Sequence, residues 1–375
     1  MKLMVVFGTR PEVIKLAPVV SEARRRANEV ELLLCSTGQH REMLDQAMEA
    51  FGITPDVDLA VMRENQDLPN LTARLIESLS EAFTIHKPDA VVVQGDTTSA
   101  FAAALAAFYQ HLPVAHVEAG LRTGNLESPF PEELNRMMIG RIAHWHFAPT
   151  RYAEQNLLRE GVDAANIEIT GNTVVDAIEM IRSAWKNGES ANSFPEYFPG
   201  QELVLVTTHR RENFGHGLQQ ICLAIRTLCA RFPEFGFVFP VHLNPQVRTV
   251  IFETLEGISN LKLIEPVNFQ TNLYLQSRSR VVITDSGGIQ EEAPSFAVPT
   301  VVMREHTERR EGVDAGFATL AGAKADTIIR AAESYLKDEG IGKQLLNRIN
   351  PYGDGRSGKR IIATLLGESA EAFHG

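Results

Sequence analysis

Short, almost unbroken apolar runs, separated by helical patterns, constrain this chain most. The first half carries KLMVVFG, VELLLCS, AVVVQG, PVAHVE and HWHFAP. Strands that are apolar throughout, rather than alternating, must be covered on both faces, which predicts parallel sheets between helical layers. PEVIKLAPVVSEARR, LTARLIESLSEAF and TTSAFAAALAAFY read as the intervening helices. Near residue 171 the pattern restarts with ELVLVTTH, FGFVFPVH, LKLIEP, RVVITD and TVVMRE. At 375 residues the chain exceeds one ordinary core and suits two domains. The expectation is an α/β protein of two Rossmann-like, doubly wound domains facing a central cleft. The first would span 1–171, joined by a C-terminal helix at 356–370, and the second, nucleotide-binding, 172–355. The Pro-, Gly-, Ser- and Asn-rich stretch at 187–201, NGESANSFPEYFPGQ, reads as a link.

Composition narrows the function. A net charge of -11 argues against a nucleic-acid scaffold, although convergent basic groups can still hold a phosphorylated ligand. Cys35, Cys222 and Cys229 form no CxxC pair, which suits a reducing cytoplasm. Cys222 and Cys229 are spaced to share one buried helix face. No apolar stretch approaches the ~20 residues of a membrane span, and MKLMVVFG is too short for a signal peptide. The reading is a soluble cytoplasmic protein with no membrane or nucleic-acid partner.

In open parallel sheets ligands bind beyond the carboxyl ends of the strands. The polar residues that follow the apolar runs are therefore the site candidates. FGTRPEVIK places Arg10 and Lys15 at a helix start, within reach of a phosphate, or alternatively as solvated cations. Asp96 follows AVVVQG, where it also suits a helix cap, and Glu118 follows PVAHV. SPFPEELNR puts Glu132 and Glu133 in a first helical turn. Carboxylates gathered at strand ends can act as acid and base. LVTTHRREN and REHTERREG supply cations after two strands of the second half. No P-loop, dinucleotide fingerprint or metal-ligand spacing appears, and PDVD at 55–58 reads as an exposed strand edge.

TDSGGIQEEAP, at 284–294, combines an anion-type loop with two glutamates. Backbone N–H groups of Ser286, Gly287 and Gly288 at a helix start suit a diphosphate. Glu292, one helical turn past Gly288, can accept from the two hydroxyls of a ribose. Phosphate on the loop and ribose on the glutamate describe a nucleotide.

FGTRPE, QHREMLDQ, QGDTT, HVEAGLRT, PEELNR, ITGNT, HRREN, PVHLNP, TDSGGIQEEAP and NPYGDG occur in order from residue 4 to about 356. Together they resemble the non-hydrolysing UDP-N-acetylglucosamine 2-epimerases. The resemblance implies a GT-B-like fold, a homodimer, a UDP-sugar substrate, and no NAD, metal or other cofactor. It implies reversible C2 inversion between UDP-GlcNAc and UDP-ManNAc through loss of UDP to a glycal and its re-addition. A hydrolysing epimerase and a non-catalytic nucleotide-sugar sensor are the alternatives. Under the resemblance Asp96, Glu118 and Glu132 match the acid/base carboxylates, and Arg10, Lys15 and His209 match groups near the diphosphate and sugar. Ser286, Gly287, Gly288, Glu292 and Arg309 match the nucleotide site, and Gln39, His40 and His242 match a second, regulatory site. Asn272 stands where relatives often carry an aromatic residue beside uracil, and Asn65 near where some carry a regulatory arginine.

Overall fold

The computed structural model describes the chain apart from residues 39–40, 64–65, 187–193, 209, 211–212 and 214, and describes only the backbone at 41–43. Two compact units result. The first comprises Met1–Met180 with Tyr352–Gly375, and the second Ile181–Pro351.

In the first unit Lys2–Phe7 (β1), Glu31–Ser36 (β2), Val57–Asp58 (β3), Ala90–Gln94 (β4), Val114–Val117 (β5), Trp145–Ala148 (β6) and Ile167–Ile169 (β7) form one sheet. Its order is β3-β2-β1-β4-β5-β6-β7, with every pairing parallel. The central strands are buried along their length because helices cover both faces. The chain winds outward from β1 to β3 and then returns to place β4 against β1. That switch point opens a crevice at the carboxyl ends of β1 and β4.

The second unit repeats the design. Leu203–Thr207 (β8), Gly236–Pro240 (β9), Leu261–Ile264 (β10), Ser279–Thr284 (β11), Thr300–Val302 (β12) and Ala318–Leu320 (β13) pair in parallel, in the order β10-β9-β8-β11-β12-β13. Its switch point lies between β8 and β11. Cys222 and Cys229 are both buried on the helix His216–Arg231, where burial pushes their thiols up to about 11 and about 12.

The border between the units falls inside the helix Thr173–Lys186, beyond the 171/172 expected from the strand pattern. The helix begins on the first unit because Val174, Val175, Ala177 and Ile178 are buried, and Asp176 Oδ1 accepts from Gly358 N at 2.9 Å. The expected link at 187–201 lies partly outside the described residues. The C-terminal helix, Ser357–Leu365, returns to pack on the helix Arg10–Arg25. Gly358 permits the approach: a Cβ there would stand 2.7 Å from Pro18 O. The PDVD segment forms the sheet edge, with Asp56 Oδ2 accepting from Leu34 N at 2.8 Å.

Two histidines lie side by side in the sheet, His116 on β5 and His146 on β6. His116 Nε2 donates to Gly95 O at 2.7 Å and so fixes the turn after β4, where Gly95 has φ +72°. Burial pushes His116 down to about 3, against the opposing bond to Gly95, and pushes His146 down to about 4. Both are neutral in the folded protein at pH 7. Below pH 6.5 unfolded histidines take up protons that the folded ones refuse until about 3 to 4. Stability should therefore be complete above pH 6.5 and fall as the pH drops below it, by up to ~1.4 kcal/mol per pH unit for each histidine. Urea midpoints measured between pH 7 and 4.5 should show a shallower decline for His116→Gln than for wild type. Equal slopes would assign the acid sensitivity elsewhere.

Candidate active site

At the first switch point β1 runs into Gly8 and Thr9, and the helix Arg10–Arg25 begins with Thr9 as N-cap, Pro11 in its first turn and Glu12 at the third position. Glu12 is fully buried. Its Oε2 accepts from Gly8 N at 3.0 Å, Thr9 N at 2.8 Å and Thr9 Oγ1 at 2.8 Å, and its Oε1 accepts from Thr97 Oγ1 at 2.8 Å. Burial raises this carboxyl to about 7, against the opposing pull of the hydroxyl and N–H donors. One side chain thus ties the loop after β1, which carries Arg10, to the loop after β4, which carries Asp96. The Thr-x-x-Glu capping pattern at residues 9–12 was a readable signal for the helix start, but not for the bond to Thr97.

Asp96 does not cap the following helix. Thr97 does, accepting from Ala100 N at 3.0 Å. Asp96 Oδ2 instead meets Arg136, with Nε at 2.8 Å and Nη2 at 2.7 Å, and Asp96 O accepts from Asn135 Nδ2 at 2.8 Å. Both partners come from the helix Glu132–Ile142. Of the glutamates opening that helix, Glu133 is structural: Oε1 accepts from Thr123 N and Gly124 N at 2.9 Å each, and Oε2 pairs with Arg136 at 3.0 Å. Glu132 stays partly exposed in the first turn.

Glu118 adopts a left-handed backbone, φ +65°, which costs a non-glycine residue energy and commonly marks a functional position. Its Oε1 pairs with Lys15 Nζ and lies 3.4 Å from Asn172 Nδ2, while Oε2 accepts from Gln94 Nε2. A Cβ on Gly95 would stand 3.7 Å from Glu118 Oε2, so this carboxylate abuts the turn that leads into Asp96. Lys15 therefore faces a carboxylate of its own unit. Gln94 was legible as a polar residue closing β4, whereas Asn172, Arg136 and Glu12 also belong to the site and were not singled out in the sequence, because they have partners distant along the chain.

At the second switch point Asp285, fully buried after β11, accepts through one oxygen from Thr208 Oγ1 at 2.7 Å, Arg210 N at 3.1 Å and Asn213 Nδ2 at 2.9 Å. This holds Thr208 and Arg210 in the loop after β8; His209 lies outside the described residues, as do Gln39, His40 and Asn65. The Ser286 N–H donates to Thr284 Oγ1 at 3.0 Å within the turn that follows β11. Gly287 and Gly288 open the helix Gly287–Glu292, where first-turn N–H groups have no intrahelical acceptor.

Arg309 lies over Gly287, and a Cβ there would be 2.9 Å from its guanidinium carbon, so a side chain at 287 would displace the guanidinium. Arg309 Nε donates to Glu291 Oε1 at 2.9 Å, and its Nη1 pairs with Glu308. Arg304 Nη1 reaches Glu308 Oε2 at 3.0 Å. Burial would raise Glu308, but Arg309, Arg304 and Arg210 overcome it and hold the carboxyl at about 2. Glu292 Oε2 accepts from Gln276 Nε2 at 2.6 Å, and Glu292 Oε1 lies 3.4 Å from where a Gly288 Cβ would stand. His242 is exposed after β9, its Nδ1 accepting from Asn244 N at 3.1 Å. Asn272 is partly exposed on the helix Phe269–Ser277.

Among the described residues no group of three or more His, Cys, Asp or Glu could hold a metal ion. No described helix is long and apolar enough to cross a membrane. The first unit thus gathers carboxylates, each oriented by cations and amides, where proton transfer can occur. The second offers a glycine loop, an arginine and an oriented carboxylate, a set suited to a nucleotide.

Residues 22–366 match the family model described as UDP-N-acetylglucosamine 2-epimerase. The UDP-N-acetylglucosamine 2-epimerase of Neisseria meningitidis serogroup A is 45% identical over 370 residues, covering 98% of this chain and 99% of that protein. The crystal structure of a Neisseria meningitidis UDP-GlcNAc 2-epimerase bound to UDP-GlcNAc superposes with a TM-score of 0.91 at 45% identity, covering 98% of this chain and all of the other. The Methanocaldococcus jannaschii UDP-GlcNAc 2-epimerase in complex with UDP-GlcNAc and UDP has a TM-score of 0.81 at 33% identity, covering 97% and 99% of the two chains. The paired parallel α/β units are of the GT-B-like kind. The chain belongs to the UDP-N-acetylglucosamine 2-epimerase family.

Proposed function

We propose that the protein interconverts UDP-N-acetylglucosamine and UDP-N-acetylmannosamine by reversible inversion at C2, without net hydrolysis. The observation that carries this reading is the pair of carboxylates at the first switch point: Asp96 held by Arg136, and Glu118 held by Lys15 and Gln94. Relatives with bound UDP-GlcNAc and UDP support the substrate class.

The ring carbon C2 has no carbonyl beside it to acidify its hydrogen, so direct abstraction would be slow. Elimination solves the problem. A carboxylate takes the C2 proton, the C1–O bond breaks with its electron pair leaving on UDP, and a C1–C2 double bond forms. Arg10, Lys15 and His209 offset the charge that grows on the departing diphosphate. A carboxylic acid then returns a proton to the opposite face of C2, and UDP re-adds at C1. Asp96, Glu118 and Glu132 are the groups for these transfers. In the second unit Glu292 binds the ribose hydroxyls, and the loop Ser286–Gly288 with Arg309 binds the nucleotide phosphates.

Three outcomes test this reading. Proton NMR of the protein with UDP-GlcNAc alone in deuterium oxide should reach a plateau mixture containing UDP-ManNAc that carries one deuterium at C2. Free sugar with UDP would indicate hydrolysis, binding without turnover a sensor, and a retained C2 hydrogen another mechanism. Asp96→Asn, Glu118→Gln and Glu132→Gln should each lower kcat by ~100-fold or more, the scale of a positioned acid or base, with circular dichroism unchanged. Wild-type turnover in all three would remove the carboxylate assignment. Glu292→Ala should weaken UDP binding by about 1.5–3 kcal/mol, the range for a hydrogen bond to a charged group. An unchanged dissociation constant in calorimetric titration would make Glu292 a structural residue.

A further inference from the structure

We propose that Gln276 is a positioning residue that sets the orientation of the Glu292 carboxylate, and through it makes the nucleotide site selective for a ribose bearing both hydroxyls. This rests on the reading of Glu292 given above.

Gln276 is fully buried near the end of the helix Phe269–Ser277, on the same face as Asn272 one turn earlier. Burying a primary amide is unfavourable unless its groups are bonded. Here Nε2 donates to Glu292 Oε2 at 2.6 Å, while Oε1 is buried with no partner among the described residues. The amide therefore sits where it serves the carboxylate better than it serves itself. Its orientation is unambiguous, because turning the amide over would set its oxygen against a carboxylate oxygen.

Glu292 ends the short helix Gly287–Glu292, and a free carboxylate there could rotate about its last side-chain bonds. A bond at Oε2 stops that rotation and fixes the direction of both sets of lone pairs. Oε1 is then presented beside Gly288, where the missing Cβ leaves room for a ligand. Two adjacent hydroxyls need two acceptor directions held in register. A ligand lacking the hydroxyls gains nothing from that alignment.

The test is calorimetric titration of the full chain with UDP and with 2′,3′-dideoxy-UDP. Wild type should prefer UDP by about tenfold or more, as expected when hydrogen bonds to a charged acceptor are lost. Gln276→Met, similar in size but without a donor, should weaken UDP by about five- to tenfold and leave dideoxy-UDP unchanged, collapsing the preference. In a Glu292→Ala background the same substitution should change neither ligand. A purely structural role for Gln276 would weaken both ligands alike. An undiminished preference in a folded Gln276→Met protein overturns the proposal. Loss of preference already in wild type, or its survival in Glu292→Ala, would instead overturn the ribose reading of Glu292 on which it stands. If Gln276→Met does not fold, amide NMR of the wild type decides: the Gln276 side-chain signal should shift with UDP and not with dideoxy-UDP, and no shift with UDP overturns the proposal.

Discussion

The first unit depends on one buried carboxyl. A doubly wound sheet parts the connections that follow its paired strands at the switch point, where β1 and β4 send their chains to opposite faces. That separation creates the crevice and also leaves its two walls without a backbone connection. Glu12 bridges them, accepting from Gly8 and Thr9 on one side and from Thr97 on the other. The loops bearing Arg10 and Asp96 are thereby held in one register. Asp285 does the equivalent work in the second unit, fastening the loop after β8 to the end of β11. Each unit thus places a fully buried acid at its switch point and spends the acid's lone pairs on loop donors.

Local pairing explains how a chain of net charge -11 can present sites for an anionic ligand. The carboxylates near the glycine loop are engaged by neighbouring groups. Glu291 and Glu308 are engaged with Arg309, and Glu308 also with Arg304. Such buried pairs add little net stability, because desolvation offsets their attraction, but they fix where the guanidinium stands. Glu292 accepts from the amide of Gln276. Two adjacent glutamates in the sequence consequently do different work. Glu291 braces the arginine, and Glu292 accepts from an amide.

Much of the architecture was legible because burial on both faces leaves a plain mark in sequence. The central strands read directly from their apolar runs. The edge and late strands β3, β7 and β13 did not, being only two or three residues long and partly polar. The cap that Asp96 also suited is taken by the residue beside it, Thr97, and Asp96 meets Arg136. The bond from the Ser286 N–H to Thr284 Oγ1 is a contact within one turn that residue types do not reveal.

The sequence by itself determined the parallel α/β class, the restart of the pattern in the second half, and the residues at the carboxyl ends of the strands. Those features follow from local periodicity and from the rule that ligands meet open parallel sheets at that edge. Only the tertiary structure decided which neighbour each charged or polar group faces. Glu12 finds Thr97, Lys15 finds Glu118, Asn172 reaches Glu118, and Gln276 finds Glu292. Each of these partners stands on a different element of the chain. Hydrogen bonds and ion pairs act over a few ångströms of space, and strand order, not spacing along the chain, brings those groups together.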